Sequence, residues 1–125
     1  MDSTVNKADA NYQLALELAQ KFSEHMGENT LVLDLREICS FTDYFVLTTA
    51  RSARHLMSLS QLCSELLKEK GLSVIKPDST DPGGWALLDA GPIIFHIMED
   101  SQRRFYELEK IWFQSKIIYS SSNSS

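Results

Sequence analysis

Cysteine is scarce in this chain of 125 residues: only Cys39 and Cys63 occur, far apart and outside any C-x-x-C spacing. That excludes a disulfide-stapled scaffold, and a chain of this length does not need one to bury a core. Long apolar runs are missing too, so no segment reads as a membrane span. The opening Met1-Asp2-Ser3-Thr4-Val5-Asn6-Lys7 has neither an apolar core nor an arginine-rich amphipathic pattern. Export and organelle import are therefore not expected, and the protein is read as cytoplasmic. Basic charge is also short. Twelve Lys and Arg stand against 17 Asp and Glu, a formal net charge of −5. The broad positive field of a nucleic-acid binder is absent, so no direct sequence-specific nucleic-acid binding is expected.

Catalytic signatures are missing as well. There is no G-x-x-x-x-G-K-[ST] loop, no G-x-S-x-G elbow and no D-x-D pair. These motifs supply phosphate cradling, an activated serine and paired carboxylates for magnesium, respectively. His25, His55 and His96 form no H-x-x-x-H or H-x-x-C spacing, so neither a metal nor a cofactor is expected. The chain is not read as an enzyme.

What is present is one α/β domain. Apolar residues at Leu14, Ala15, Leu18, Ala19, Phe22 and Met26 predict an amphipathic helix over 9–26, stopped by Gly27. Strands are predicted at 30–35 and 44–49; the second is apolar on both faces, which places it centrally in a sheet. Ser52 is a candidate N-cap for a helix to 70, with Leu56, Leu59, Leu62, Cys63, Leu66 and Leu67 inward and Gly71 beyond its end. A short strand over 72–75, a turn-rich stretch and a hairpin of 85–89 with 93–98 follow. A last helix opens at Asp100 or Ser101 and buries Phe105, Leu108, Ile111 and Trp112. Residues 1–8 are expected to be flexible, 9–115 to form the domain, and 116–125 to be a disordered serine-rich tail. Adjacent strand pairs together with a strand–helix–strand crossover predict a mixed sheet of about five strands flanked by helices.

Some residues carry two readings. The junction Thr48-Thr49-Ala50-Arg51-Ser52-Ala53-Arg54-His55 could hold an anion at a helix N-terminus. Its plainer reading, which we favour, is a capped helix with two solvated arginines. Asp34, Asp43 and Asp89 sit near strand ends and read as capping or solvated carboxylates rather than metal ligands. His96 lies on a strand beside Ile94 and Met98, a position that usually holds a hydrogen-bonded, partly buried imidazole. Trp85 is either core packing or, if half-exposed, an anchor for a protein partner.

Several ordered segments also resemble one family. Phe41-Thr42-Asp43-Tyr44-Phe45-Val46, Arg51-Ser52-Ala53-Arg54-His55, Gly84-Trp85-Ala86-Leu87-Leu88-Asp89-Ala90-Gly91, Ile94-Phe95-His96-Ile97-Met98 and Arg103-Arg104-Phe105-Tyr106-Glu107-Leu108-Glu109-Lys110-Ile111-Trp112 are similar to the motifs of Iojap-like ribosomal silencing factors. Ala50-Arg51 departs from the glycine and small residue usual there, and Asp78-Ser79 from the usual Glu-Gly. The resemblance implies a nucleotidyltransferase-like topology without the catalytic signature. It further implies binding to protein fourteen of the large ribosomal subunit, which would block joining of the small subunit under nutrient limitation. A homodimer is a further implication. The candidate binding surface is Trp85, Asp89, His96, Arg104, Tyr106 and Glu107. The first two share a strand face by the period of two, and Arg104 and Glu107 oppose the buried stripe of the last helix. The alternatives are a degenerate nucleotidyltransferase-fold enzyme using Asp34, Asp43 or Asp89, and a ribosome assembly adaptor.

The missing motifs generate one expectation about chemistry. The purified protein should show no magnesium-dependent turnover of nucleoside triphosphates. Turnover abolished by Asp43→Ala or Asp89→Ala in a folded variant would overturn it.

Overall fold

In the computed structural model, residues 3–75, 84–100 and 115–121 are described. The order is α1 (Ser3–Glu24), β1 (Glu28–Asp34), β2 (Tyr44–Ala50), α2 (Ala53–Glu69), β3 (Trp85–Asp89), β4 (Ile93–Glu99) and β5 (Lys116–Ser120). Apart from Asp100, the helix expected at the end of the domain lies outside the described residues, as does the turn-rich stretch at 76–83. Among the described residues no helix is long and apolar enough to cross a membrane.

The strands form one sheet in the order β3-β4-β2-β1-β5. β2 and β4 are parallel, while β1–β2, β1–β5 and β3–β4 are antiparallel. The mixed five-stranded sheet is therefore as expected, and β2 is its central strand. Ala15, Leu18 and Phe22 of α1 and Leu59, Cys63 and Leu67 of α2 pack on Val32, Val46, Phe95 and Ile97. The opposite face carries a second cluster of Leu31, Leu33, Leu35 and Leu47, with Phe45 and Cys39 against it.

Helix ends depart from the expectation in an instructive way. α1 begins at Ser3, well ahead of the expected residue 9 and inside the segment expected to be flexible. At its other end Met26, not Gly27, takes the left-handed conformation, with φ 73°. The Gly27 N–H then reaches back to the Phe22 carbonyl at 2.7 Å, closing the helix. Met26 is consequently swung out and 54% exposed rather than joining the apolar stripe. Gly27 is required for a different reason: a Cβ there would collide with Thr48 Oγ1 and stand 2.8 Å from the Phe22 carbonyl oxygen. α2 agrees with its expectation, since the Ser52 side chain accepts the His55 N–H at 3.1 Å.

Two strand expectations are corrected. Residues 72–75 do not form a strand but a single antiparallel bridge, Ile75 with Asp89. The segment is committed to ending α2: Gly71 has φ +77°, and the Leu72 N–H bonds to the Leu67 carbonyl at 3.0 Å. The fifth strand comes instead from the expected disordered tail. Ile117, Ile118 and Tyr119 are strong strand formers, and β5 pairs with β1 from Leu31 with Ser120 to Asp34 with Lys116. The serines take part in the pairing: Ser121 N donates to the Thr30 carbonyl and Ser121 Oγ accepts the Thr30 N–H, each at 2.9 Å. The Tyr119 hydroxyl lies 3.1 Å from Ser23 Oγ, joining the strand to α1.

Truncation after Ser115 should therefore destabilise the domain. Losing the half-buried Ile118 and Tyr119 removes roughly 2 kcal/mol of apolar burial, a fall of about 10 °C in melting temperature for a domain of this size. An unchanged melting curve would show that β5 adds nothing.

Candidate functional site

The site is built on the β3–β4 hairpin. Asp89 N-caps its turn: Oδ1 accepts the Gly91 N–H at 2.8 Å, and Gly91 has φ +88°. The turn fixes the register, with Asp89 opposite Ile94, Leu87 opposite His96 and Trp85 opposite Met98. Trp85, Leu87 and Asp89 thus share a face with Ile94, His96 and Met98, on the side of the sheet away from α1 and α2. β2 places Phe45 on the same face, since Phe45 pairs with Ile94.

These residues meet around the His96 imidazole. The Trp85 indole N–H donates to His96 Nδ1 at 3.2 Å, with ring centroids 5.9 Å apart. The Phe45 ring stands edge-on to the imidazole at 4.6 Å. His96 is 6% exposed, and desolvation pushes its pKa down to about 4. The Trp85 hydrogen bond acts in the same direction, because it needs the lone pair that protonation would remove. A neutral imidazole that accepts at Nδ1 carries its proton on Nε2. Among the described residues, that Nε2–H is buried without a hydrogen-bond partner.

Elsewhere, several polar groups among the described residues are paired with one another. Arg36 grips Asp34 with two hydrogen bonds, at 3.0 and 2.8 Å, and holds its carboxyl below the usual range. Asp34 and Asp89 are thus local capping carboxylates, as read from the sequence. Arg51 is not simply solvated: it pairs with Glu28 at 3.2 Å. Its N–H donates to His55 Nδ1, while His55 Nε2 lies 2.9 Å from the His25 carbonyl. The open cleft beside this junction, about 550 Å³, is lined by Glu28, Ala50, Arg51, Glu99 and Asp100. Among the described residues, three carboxylates and one paired arginine line it, a balance that does not favour phosphate. Among the described residues no group of three or more His, Cys, Asp and Glu could hold a metal.

Of the six surface candidates, the structure brings Trp85 and His96 into contact and sets Asp89 further along the same face. Trp85 and Asp89 are half-buried, whereas His96 is almost sealed. Arg104, Tyr106 and Glu107 lie outside the described residues. Sequence reasoning missed Phe45 and the Trp85–His96 bond. The bond was within reach: a short turn at Ala90-Gly91-Pro92 sets the register that makes Trp85 and His96 diagonal neighbours. Phe45 required the order of β2 and β4, which has no local signal.

Comparison with known proteins gives one consistent result. The family described as "Ribosomal silencing factor during starvation" matches residues 8–124. The ribosomal silencing factor of Bacillus subtilis is 29% identical over 86 residues, 69% of this chain and 73% of that protein. A mouse protein named for mitochondrial assembly of the ribosomal large subunit is 33% identical over 75 residues, 58% of this chain and 33% of its own. A crystal structure of a Chromobacterium violaceum protein superposes with a TM-score of 0.73 at 24% identity, covering 90% of this chain and 94% of that one. The fold is thus shared with a solved structure.

The His96 environment sets a pH dependence. Its folded pKa of about 4 lies below the ordinary 6.5, so between these values the unfolded chain binds more protons. The contribution is fully present above pH 6.5 and is lost as pH falls through 4, by about 3 kcal/mol. Asp34 acts in a separate window, because its lowered pKa matters only below its ordinary 3.8. Urea unfolding at pH 7 and pH 4 should show a smaller drop for His96→Leu than for the parent. Equal drops would mean that His96 is not buried neutral.

Proposed function

Because the chain belongs to the ribosomal silencing factor family, we propose that it binds the large ribosomal subunit through its protein fourteen and bars the small subunit from joining. Translation is thereby lowered in the cytoplasm when nutrients are short. The family match across residues 8–124 carries this reading. The mechanism needs a complementary patch and bulk, not turnover, and so makes no demand for the paired acids or phosphate loops that the sequence lacks.

Charge and shape support the choice of partner. A net charge of −5 suits a basic ribosomal protein better than ribosomal RNA. The docking surface of this reading is the hairpin face with Trp85 as anchor and Asp89 at its rim; Arg104, Tyr106 and Glu107 are its further candidates from the sequence. Trp85 is half-buried, which leaves ring area for a partner while its indole N–H is satisfied within the domain. A homodimer using this face would have to dissociate before docking. The name of the mouse relative favours a second reading, in which contact with the large subunit serves its assembly.

Co-sedimentation tests the partner, and a subunit-joining assay separates silencing from assembly. The protein should travel with purified large subunits and not small ones, and should inhibit joining in proportion to occupancy. Trp85→Ala should weaken binding roughly thirty-fold, the loss typical of an aromatic anchor. Asp89→Asn keeps the acceptor for Gly91 and removes only the charge, so its loss should stay under about five-fold. Parent-like binding by a folded Trp85→Ala would remove the hairpin face from the interface. Binding without inhibition of joining would favour assembly.

A further inference from the structure

We propose that His96 is a positioning residue for the docking surface, its Nδ1 lone pair holding the Trp85 indole in the pose offered to the partner. The inference rests on the docking reading of Trp85 and deepens it. An indole has one hydrogen-bond donor and no acceptor, so the partner of that N–H constrains how the ring is turned. That bond goes to His96 Nδ1 at 3.2 Å. Trp85 is not the direct cross-strand partner of His96, which is Leu87. It reaches the imidazole diagonally, across the register that pairs Trp85 with Met98. The imidazole is itself braced from β2 by the Phe45 ring at 4.6 Å. At 6% exposure His96 offers a partner almost no surface, so its effect on binding runs through Trp85.

The residue choice is also poor for stability alone, which is why a purely packing role does not explain it. Among the described residues, His96 Nε2 is buried without a partner. A leucine between Ile94 and Met98 would fill similar space with no donor left over. What a histidine gives and a leucine does not is an acceptor at the Nδ1 position.

This separates stability from binding in a pair of variants. Asparagine places its Oδ1 close to where Nδ1 stood but leaves a void; leucine fills the void but offers no acceptor. Large ribosomal subunits and the full-length chain are the probe. His96→Leu should melt at or above the parent temperature and yet bind about ten-fold more weakly. His96→Asn should melt lower and bind within about three-fold of the parent. The Trp85 indole N–H resonance, distinguished from that of Trp112 by Trp112→Phe, should move in His96→Leu and stay near its parent position in His96→Asn. Nitrogen shifts of His96 in the parent should show the Nε2–H form. Parent-like binding by His96→Leu, or binding that simply follows melting temperature across both variants, overturns the proposal while a weakened Trp85→Ala leaves the docking reading standing. Parent-like binding by Trp85→Ala overturns both. If neither His96 variant folds, the nitrogen shifts decide, and an Nδ1–H form overturns it.

Discussion

Seven residues of β2 lie in register with seven of β4, from Tyr44 beside Ile93 to Ala50 beside Glu99, and the two strands run the same way. A parallel pair cannot be closed by a tight turn; the chain has to cross over one face of the sheet between them. α2 makes that crossing. Its inward Leu59, Cys63 and Leu67 then roof the same side as Ala15, Leu18 and Phe22 of α1. Because β2 and β4 are interior strands with side chains buried on both faces, their alternate residues have to serve two cores. Tyr44, Val46 and Phe95 face the helices, while Phe45, Leu47 and His96 face away. The hairpin with β3 hangs from β4, so the location of Trp85 follows from the same parallel pair.

Much of this was legible because it is written in short-range pattern. The apolar spacing of α2, its Ser52 cap and the hairpin around Ala90-Gly91-Pro92 are each decided within a few residues, and each is found. The central position of β2 was legible because both of its faces are apolar. What misled was composition read without partners. Residues 72–75 have a strand's composition but are drawn into the end of α2 by the Leu72 hydrogen bond to Leu67. Ile117, Ile118 and Tyr119 were overshadowed by the serines that follow them. Their strand forms because β1 offers an edge, and that edge is invisible until the sheet is assembled.

The candidate site divides along the same line. That Trp85 and Asp89 share a face is a consequence of strand periodicity and needs no coordinates. That His96 is neutral, with its proton on Nε2, depends on one hydrogen bond across the hairpin and on burial from β2. Both are tertiary facts. A histidine alone in an apolar strand says only that something meets its nitrogens. The structure shows that one nitrogen serves the indole and that the other has no partner among the described residues.

β5 bears on how the domain forms and opens. The β3–β4 pairing closes a turn of a few residues, whereas β5 pairs with β1 across most of the chain, Leu31 with Ser120. Joining ends so far apart in sequence carries a larger chain-entropy cost, so this pairing belongs late in folding. The same strand is one of the two outer strands of the sheet and is exposed at three of its five residues, which makes it a place for local opening. When it opens, the edge laid bare is β1, whose Leu31-Val32-Leu33 run is buried on both faces in the closed state. Such an edge invites pairing with another chain. β5 thus covers that edge in the closed state, fastened by Ser121 on Thr30 and Tyr119 on Ser23.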